Sequence, residues 1–211
     1  MPFLMTELFK ILPLELEDYF SSINYEGEGF LQVNEIKFFN NEMYFNFSIY
    51  IGNYEKNEIQ YWQLKVINYR DSKIDIENLG GYFEFYSNHF LLWEFIDDEV
   101  ELYFKNATDS PEILLANIYK IHKHIFNNYI SLEKYINGND LILNCKSRNG
   151  LFARGPKNIL KLYYNCLEKD NMNPYYLESN KNNFKSKNLK VALLGGTYFI
   201  GEDFIFTRIN N

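Results

Sequence analysis

Apolar and polar residues alternate with a period of two along the chain from about residue 30. Three segments rich in aromatic and β-branched residues, separated by turn-forming residues, are FLQVNEIKFF, EMYFNFSIYI and EIQYWQLKVINY, and each has the pattern of a strand. Asn40-Asn41 tolerates positive φ and predicts a tight hairpin. In that hairpin Ile36 faces Phe45 and Phe38 faces Met43, so one face of the pair is apolar.

The segment HFLLWEFI-DD-EVELYFK predicts a second hairpin, with Asp97-Asp98 as its two-residue loop. Its register places six apolar residues on one face, in the pairs Phe95–Val100, Trp93–Leu102 and Leu91–Phe104. A single apolar face is what a half-buried antiparallel pair requires. The same register sets Glu94 directly opposite Glu101 on the other face.

Two amphipathic helices are predicted in the C-terminal half. Ser110 is the expected cap of the first, and Pro111 suits its first position. The second begins at Gly155-Pro156 and repeats apolar residues at helical spacing, namely Ile159, Leu160, Tyr163, Cys166 and Leu167. The tail LKVALLGGTYFIGEDFIFTRI predicts strands that turn at Gly195-Gly196. This order favours an α+β fold with antiparallel meander sheets and these two main helices.

Length and charge narrow the possibilities further. A chain of 211 residues fits a single domain over 1–211, with a soft division near 106–110. The net charge of −7 is unfavourable for nucleic acid, and Asn and Ser dilute the basic segment from Lys181 to Lys190. We expect a basic protein partner, no nucleic acid and no membrane. The N-terminus lacks the pattern of a signal peptide, so we expect the cytoplasm.

Catalytic, metal and cofactor signatures are weak. The stretch GGTYFIG is similar to the dinucleotide fingerprint of extended short-chain dehydrogenases, but the strand DFIFTRI follows it where that fingerprint needs a helix. His122 and His124 point to different faces of a helix, and no HExxH is present. Cys145 and Cys166 form no CxxC pair. We therefore expect no cofactor and no metal site, and an enzyme with a dispersed site stays an alternative.

Two clusters are candidate binding sites. Arg154, Gly155 and Lys157 surround a predicted helix start, where free N–H groups favour a phosphate or carboxylate. The acidic segment is the candidate site for a Lys/Arg-rich partner surface, with Tyr103 as an apolar anchor. Its carboxylates are Glu94, Asp97, Asp98, Glu99 and Glu101.

Three segments carry a resemblance to a family: LLWEFIDDEVELYF, PEILLANIYKIHKHIFNNYISLEKYIN and GLFARGPKNILKLYYNCLEK. In their order, a strand hairpin, an amphipathic helix and a helix led by Gly-Pro, the chain resembles bacterial toxin-immunity proteins. That resemblance implies a small, acidic, cytosolic protein without catalytic residues that blocks a toxin by binding it. It carries over no individual functional residue. The alternative is a small-molecule or anion-binding protein that uses the helix start at Arg154, Gly155 and Lys157.

Overall fold

The structure is a computed structural model, and it describes residues 11–22, 31–53, 56–79, 82–136, 141–178 and 188–209. Two compact units are present. The first unit comprises Met1–His89 with Asn188–Asn211, and the second unit is Phe90–Lys187. The predicted division near 106–110 thus lies inside the second unit, and the single domain over 1–211 stays a prediction. Lys181 to Lys187 of the predicted basic loop lie outside the described residues.

Helices and antiparallel sheets confirm the α+β class. In the described residues the helices are α1 (Leu14–Ser22), α2 (Trp93–Ile96), α3 (Pro111–Phe126), α4 (Leu141–Cys145) and α5 (Lys157–Lys169). The strands are β1 (Leu31–Phe39), β2 (Glu42–Asn53), β3 (Lys56–Ile67), β4 (Asp71–Lys73), β5 (Glu84–Tyr86), β6 (Glu99–Phe104), β7 (Gly150–Pro156), β8 (Tyr175–Glu178), β9 (Lys190–Leu194), β10 (Thr197–Gly201) and β11 (Asp203–Ile209).

The first unit contains two antiparallel four-stranded sheets, in the orders β1-β2-β3-β11 and β4-β10-β9-β5. Aromatic side chains from both sheets form its core, and the rings of Phe45 and Phe199 lie 4.9 Å apart. The hairpin at Asn40-Asn41 is confirmed, with Ile36 opposite Phe45 and Phe38 opposite Met43. Both asparagines have positive φ, 48° and 61°, as a tight turn of this kind requires. The Gly195-Gly196 turn between β9 and β10 is confirmed as well.

The second unit is built on a three-stranded antiparallel sheet in the order β7-β6-β8. Its middle strand, β6, alternates strictly, because Val100, Leu102 and Phe104 are buried while the residues between them are partly exposed. The predicted apolar stripe of α5 is confirmed in full, since its five residues, Ile159, Leu160, Tyr163, Cys166 and Leu167, are all buried. The helix begins at Lys157, two residues later than predicted, because Gly155 and Pro156 end β7.

The predicted hairpin around Asp97-Asp98 is wrong. Phe90–Leu92 form a 3-10 turn and Trp93–Ile96 form α2, so no strand precedes β6 there. The physical reason is consecutive burial. Leu91, Leu92 and Trp93 are all buried, whereas successive side chains of a strand point to opposite faces. The partners of β6 are instead β7 and β8.

Helix α3 begins after Ser110 with Pro111 at its first turn, as predicted, but the Ser110 side chain makes no capping hydrogen bond. The backbone N–H of Ser110 donates to the Thr108 hydroxyl at 3.1 Å instead. His122 lies on the buried face of α3, with Nδ1 2.8 Å from the Tyr163 hydroxyl and Nε2 2.8 Å from the Ile130 carbonyl oxygen. A carbonyl can only accept, so Nε2 carries the proton and Nδ1 accepts from Tyr163.

Within the described ranges, none of the helices combines the length and the apolar composition needed to cross a bilayer.

Replacing Trp93 with Ala should lower the free energy of unfolding by about 3–5 kcal/mol, the range for a buried aromatic truncated to Ala. Trp93 is 7% exposed and packs edge-to-face on Phe126 at 6.4 Å. Denaturant melts of both proteins measure the loss. Tyr119→Ala is the control, because Tyr119 is 57% exposed on α3 and should change stability by no more than about 0.5 kcal/mol. A Trp93→Ala loss as small as the control's would contradict the burial.

Stability should fall as the pH drops from about 7.5 towards about 5.5, in part through His122. Burial lowers the pKa of His122, an effect that outweighs the opposing hydrogen bond to Ile130. In this window the unfolded chain takes up a proton near the ordinary histidine pKa of about 6.5, while the folded protein does not, so protonation favours unfolding. Urea melts across the window should show a smaller decline for His122→Phe than for the wild type. An NMR titration placing the His122 pKa at or above its ordinary value would refute this.

Candidate functional site

The outward face of β6 carries three of the predicted site residues. Because Val100, Leu102 and Phe104 point into the core, Glu99, Glu101 and Tyr103 occupy the opposite face of the strand. On this face Arg154 of β7 and Leu177 of β8 lie in register with Glu101 on either side. We call this surface the β6 face, formed by Glu99, Glu101, Tyr103, Arg154, Tyr175 and Leu177.

Glu101 is the electrostatic centre of the β6 face. Its carboxylate forms an ion pair with the Arg154 guanidinium and accepts a hydrogen bond from the Tyr103 hydroxyl at 2.9 Å. The Tyr103 hydrogen bond, and then Arg154, lower the pKa of Glu101. The same hydrogen bond raises the pKa of Tyr103. Both effects favour the state in which Glu101 is ionised and Tyr103 keeps its proton, so the arrangement is stable at neutral pH.

Aromatic rings and an aliphatic side chain lie beside Glu101 on the β6 face. The rings of Tyr103 and Tyr175 stack with centroids 5.6 Å apart, and the Lys105 ammonium lies 5.0 Å from the Tyr175 ring centroid. Leu177 is 46% exposed. The β6 face therefore combines charge with aromatic and aliphatic area, as interface hot spots do.

A cleft of about 460 Å³ adjoins the β6 face. Its charged lining residues are Glu94, Asp97, Glu99, Lys134 and Arg154, so three carboxylates face two cations. Glu101 pairs with Arg154 at its edge and makes the count four carboxylates to two cations. Members of both predicted clusters thus line one cavity, because Gly155 also contributes to the wall.

Glu94 lies at one end of the cleft and is held by two neighbours. It accepts a hydrogen bond from the Tyr135 hydroxyl and pairs with the Lys134 ammonium, both at 2.5 Å. Glu94 lies on α2 and does not face Glu101 across a hairpin, so the predicted placement of these two carboxylates opposite each other is wrong. Sequence reasoning missed Lys134 and Tyr135, because they lie about forty residues from Glu94 and no local pattern links them.

Gly155 allows the Tyr135 ring to lie directly against β7. A Cβ at position 155 would come within 2.6 Å of the ring, closer than carbon atoms can approach without a shift. The backbone φ of +156° is also one that other residues rarely adopt. The Arg154 N–H donates to the Tyr135 carbonyl at 2.9 Å and joins the two segments. Gly155 is thus a packing residue for Tyr135.

The start of α5 already has a carboxylate from its own chain. Asp97 accepts from the backbone N–H of Asn158 at 2.6 Å, and the Asp98 carbonyl accepts from the N–H of Lys157 at 2.9 Å. Asp97 therefore occupies the position expected for a bound anion. The Lys157 ammonium lies 6.0 Å from the Tyr176 ring centroid. The anion site at Arg154, Gly155 and Lys157 stays a prediction.

Cysteine and histidine are absent from the lining of this cleft. Burial raises the pKa of Cys145 to about 11 and lowers the pKa of His89 to about 4. In the described part of the chain, His, Cys, Asp and Glu nowhere gather into a group that could hold a metal ion. The cleft lining offers carboxylates, two cations and Tyr135 for charge, hydrogen-bond and aromatic contacts.

Comparison with protein-family models, with curated proteins and with solved structures finds no match. Inference about function thus starts from the geometry of the cleft and the β6 face.

Replacing Asp97 with Ala should lower the free energy of unfolding by about 1 kcal/mol, as loss of a helix N-terminal carboxylate typically does. Denaturant melts measure the loss. Sulfate should then restore part of the stability in Asp97→Ala and do so less when Arg154 and Lys157 are also replaced by Ala, because an added anion would take the vacated position. Equal sulfate effects in all variants would indicate a general salt effect only and would contradict an anion site.

Proposed function

We propose that this protein is a non-catalytic binding module that binds a basic protein partner through the cleft and the β6 face. We further propose that it is a cytosolic immunity-type protein, which inhibits a toxin by binding it. The observation that carries the proposal is the excess of carboxylates in the cleft and at its edge, four to two cations, beside Tyr103, Tyr175 and Leu177 of the β6 face.

The charge of the surface supports a cationic partner. The whole chain carries −7, and the cleft adds a local excess of the same sign. A partner rich in Lys and Arg would be steered towards such a surface by its negative charge. Partners of the opposite charge would be repelled by the same field.

Apolar area supports a specific complex instead of loose charge attraction. Rim charges mainly raise the association rate, whereas buried aromatic and aliphatic anchors supply most of the binding energy. Tyr103 and Tyr175 are stacked, and stacked rings lose little conformational freedom on binding. Leu177 beside them is already exposed. This pairing of aromatic anchors with carboxylates suits a partner surface that carries both apolar and basic residues.

Rigidity of the surface also supports a binding role. The site residues lie on the middle strand of a sheet and on segments tied to it by the Asp97, Asp98 and Tyr135 hydrogen bonds. A surface that is already ordered loses less entropy when a partner binds. An inhibitor of the toxin-immunity kind would need such a preformed surface.

The test is to measure association with the protein encoded beside its gene, at salt concentrations from about 0.05 M to about 0.5 M. Replacing Asp98 and Glu99 with Lys should slow association about tenfold at low salt. The difference should shrink as salt rises, because the Debye length falls below about 10 Å above 0.1 M.

Matched charge reversals at Glu112 and Glu168 provide the control. Both residues are exposed on helices of the same unit and belong neither to the acidic segment nor to the cleft lining, so they change the net charge equally without altering the proposed interface. They should leave association nearly unchanged. Tight binding that ignores the Asp98 and Glu99 substitutions would place the interface elsewhere. Failure of the protein to neutralise its neighbour's toxicity in cells would overturn the immunity proposal.

A further inference from the structure

The Lys134 ammonium lies beside a carboxylate and an aromatic ring. The Lys134 nitrogen lies 2.5 Å from a Glu94 carboxylate oxygen and 5.9 Å from the centroid of the Tyr135 ring. A carboxylate together with an aromatic ring is the combination that proteins use to hold ammonium groups. In this structure the ammonium belongs to the chain itself.

The two halves of this contact differ in how firmly they are held. Tyr135 is 4% exposed, its hydroxyl is bonded to Glu94, and Gly155 admits its ring against β7. The Lys134 side chain is 48% exposed and ends a flexible four-carbon stem. Glu94 and Tyr135 are therefore positioned by contacts that do not depend on Lys134.

Replacement of the Lys134 ammonium by an ammonium from another molecule would change the free energy little at this position. An ion pair with a half-exposed lysine contributes little to stability, and an incoming lysine would restore the same contacts. The cleft of about 460 Å³ falls within the range of ligand pockets, about 300–1,000 Å³. Arg154, the other cation of the lining, is paired with Glu101.

We infer that Glu94 and Tyr135 form a subsite for a lysine side chain of the partner, and that Lys134 is an intramolecular occupant which that lysine displaces. This inference rests on the proposed function for the identity of the ligand's source. The subsite itself can be tested without the partner, because its ligand chemistry is a single alkyl ammonium.

The probe is Nα-acetyl-lysine methylamide, which keeps its side-chain ammonium. It is titrated into the full-length protein, and binding is followed by the NMR shifts of Glu94 and Tyr135. Lys134→Ala should bind the probe about threefold or more tightly than the wild type, because a competing ammonium is removed. Glu94→Gln should weaken binding about tenfold, since the charge-assisted contact is lost. N-acetyl-norleucine methylamide, which lacks the ammonium, should produce no comparable shifts.

Lys146→Ala is the matched control, because Lys146 is also half exposed and its nearest carboxylate, on Glu112, is 3.9 Å away. It should bind the probe as the wild type does. Equal affinities for Lys134→Ala and Lys146→Ala would overturn the inference, as would equal shifts with the norleucine compound. Thermal melts establish that each variant is folded, and Glu94→Asp provides a second variant that keeps the charge and moves it out of reach.

The partner complex separates this inference from the proposed function. If the Asp98 and Glu99 reversals slow association but Lys134→Ala leaves the partner's affinity unchanged, the displacement of Lys134 is overturned and the binding surface stands. If Lys134→Ala binds the probe more tightly than the wild type while the Asp98 and Glu99 reversals leave the partner's association rate unchanged, the lysine subsite stands and the proposed interface is overturned.

Discussion

Burial of Val100, Leu102 and Phe104 is the constraint on which the second unit and its site depend. These side chains fill the core beneath the middle strand of the three-stranded sheet, and a shift of one residue would expose all of them. Successive side chains of a strand point to opposite faces, so the position of the buried residues also fixes the outward face. This face carries Glu99, Glu101 and Tyr103 together, so the polar surface is a consequence of core packing.

Contacts between distant parts of the chain convert that face into a site. Asp97, just before the strand, accepts from the start of α5, while Glu94 on α2 pairs with Lys134. Arg154 completes the group from the neighbouring strand. Asp97, Glu94 and Glu101 are thus each paired with a group some forty to sixty residues away, and these pairs help to shape the cleft. A surface of this kind suits the proposed recognition of cations, because its side chains are already held in place.

The success of the sequence predictions follows the range of the interactions involved. The Asn40-Asn41 hairpin and the buried stripe of α5 are set by residues close in sequence, so their periodicity and turn chemistry identified them. The hairpin at Asp97-Asp98 failed for a related reason. FLLWEFI is a short apolar run that fits a strand or a buried helical turn equally well by pattern, and tertiary packing selects between them. The burial of Trp93 and Leu102 was predicted correctly, but the predicted strand pairing between them is wrong.

The sequence by itself determined the α+β class, the two main helices, the alternating faces of the strands and the acidic character of the chain, because these follow from local spacing and composition. It also identified the carboxylates and Arg154 as candidate site residues. Only the tertiary structure decided that the two clusters line one cleft, that Asp97 takes the helix start, and that Lys134 and Tyr135 belong beside Glu94. Which distant side chains meet depends on how the sheet and helices pack around a common core, and no short-range pattern in the sequence encodes that.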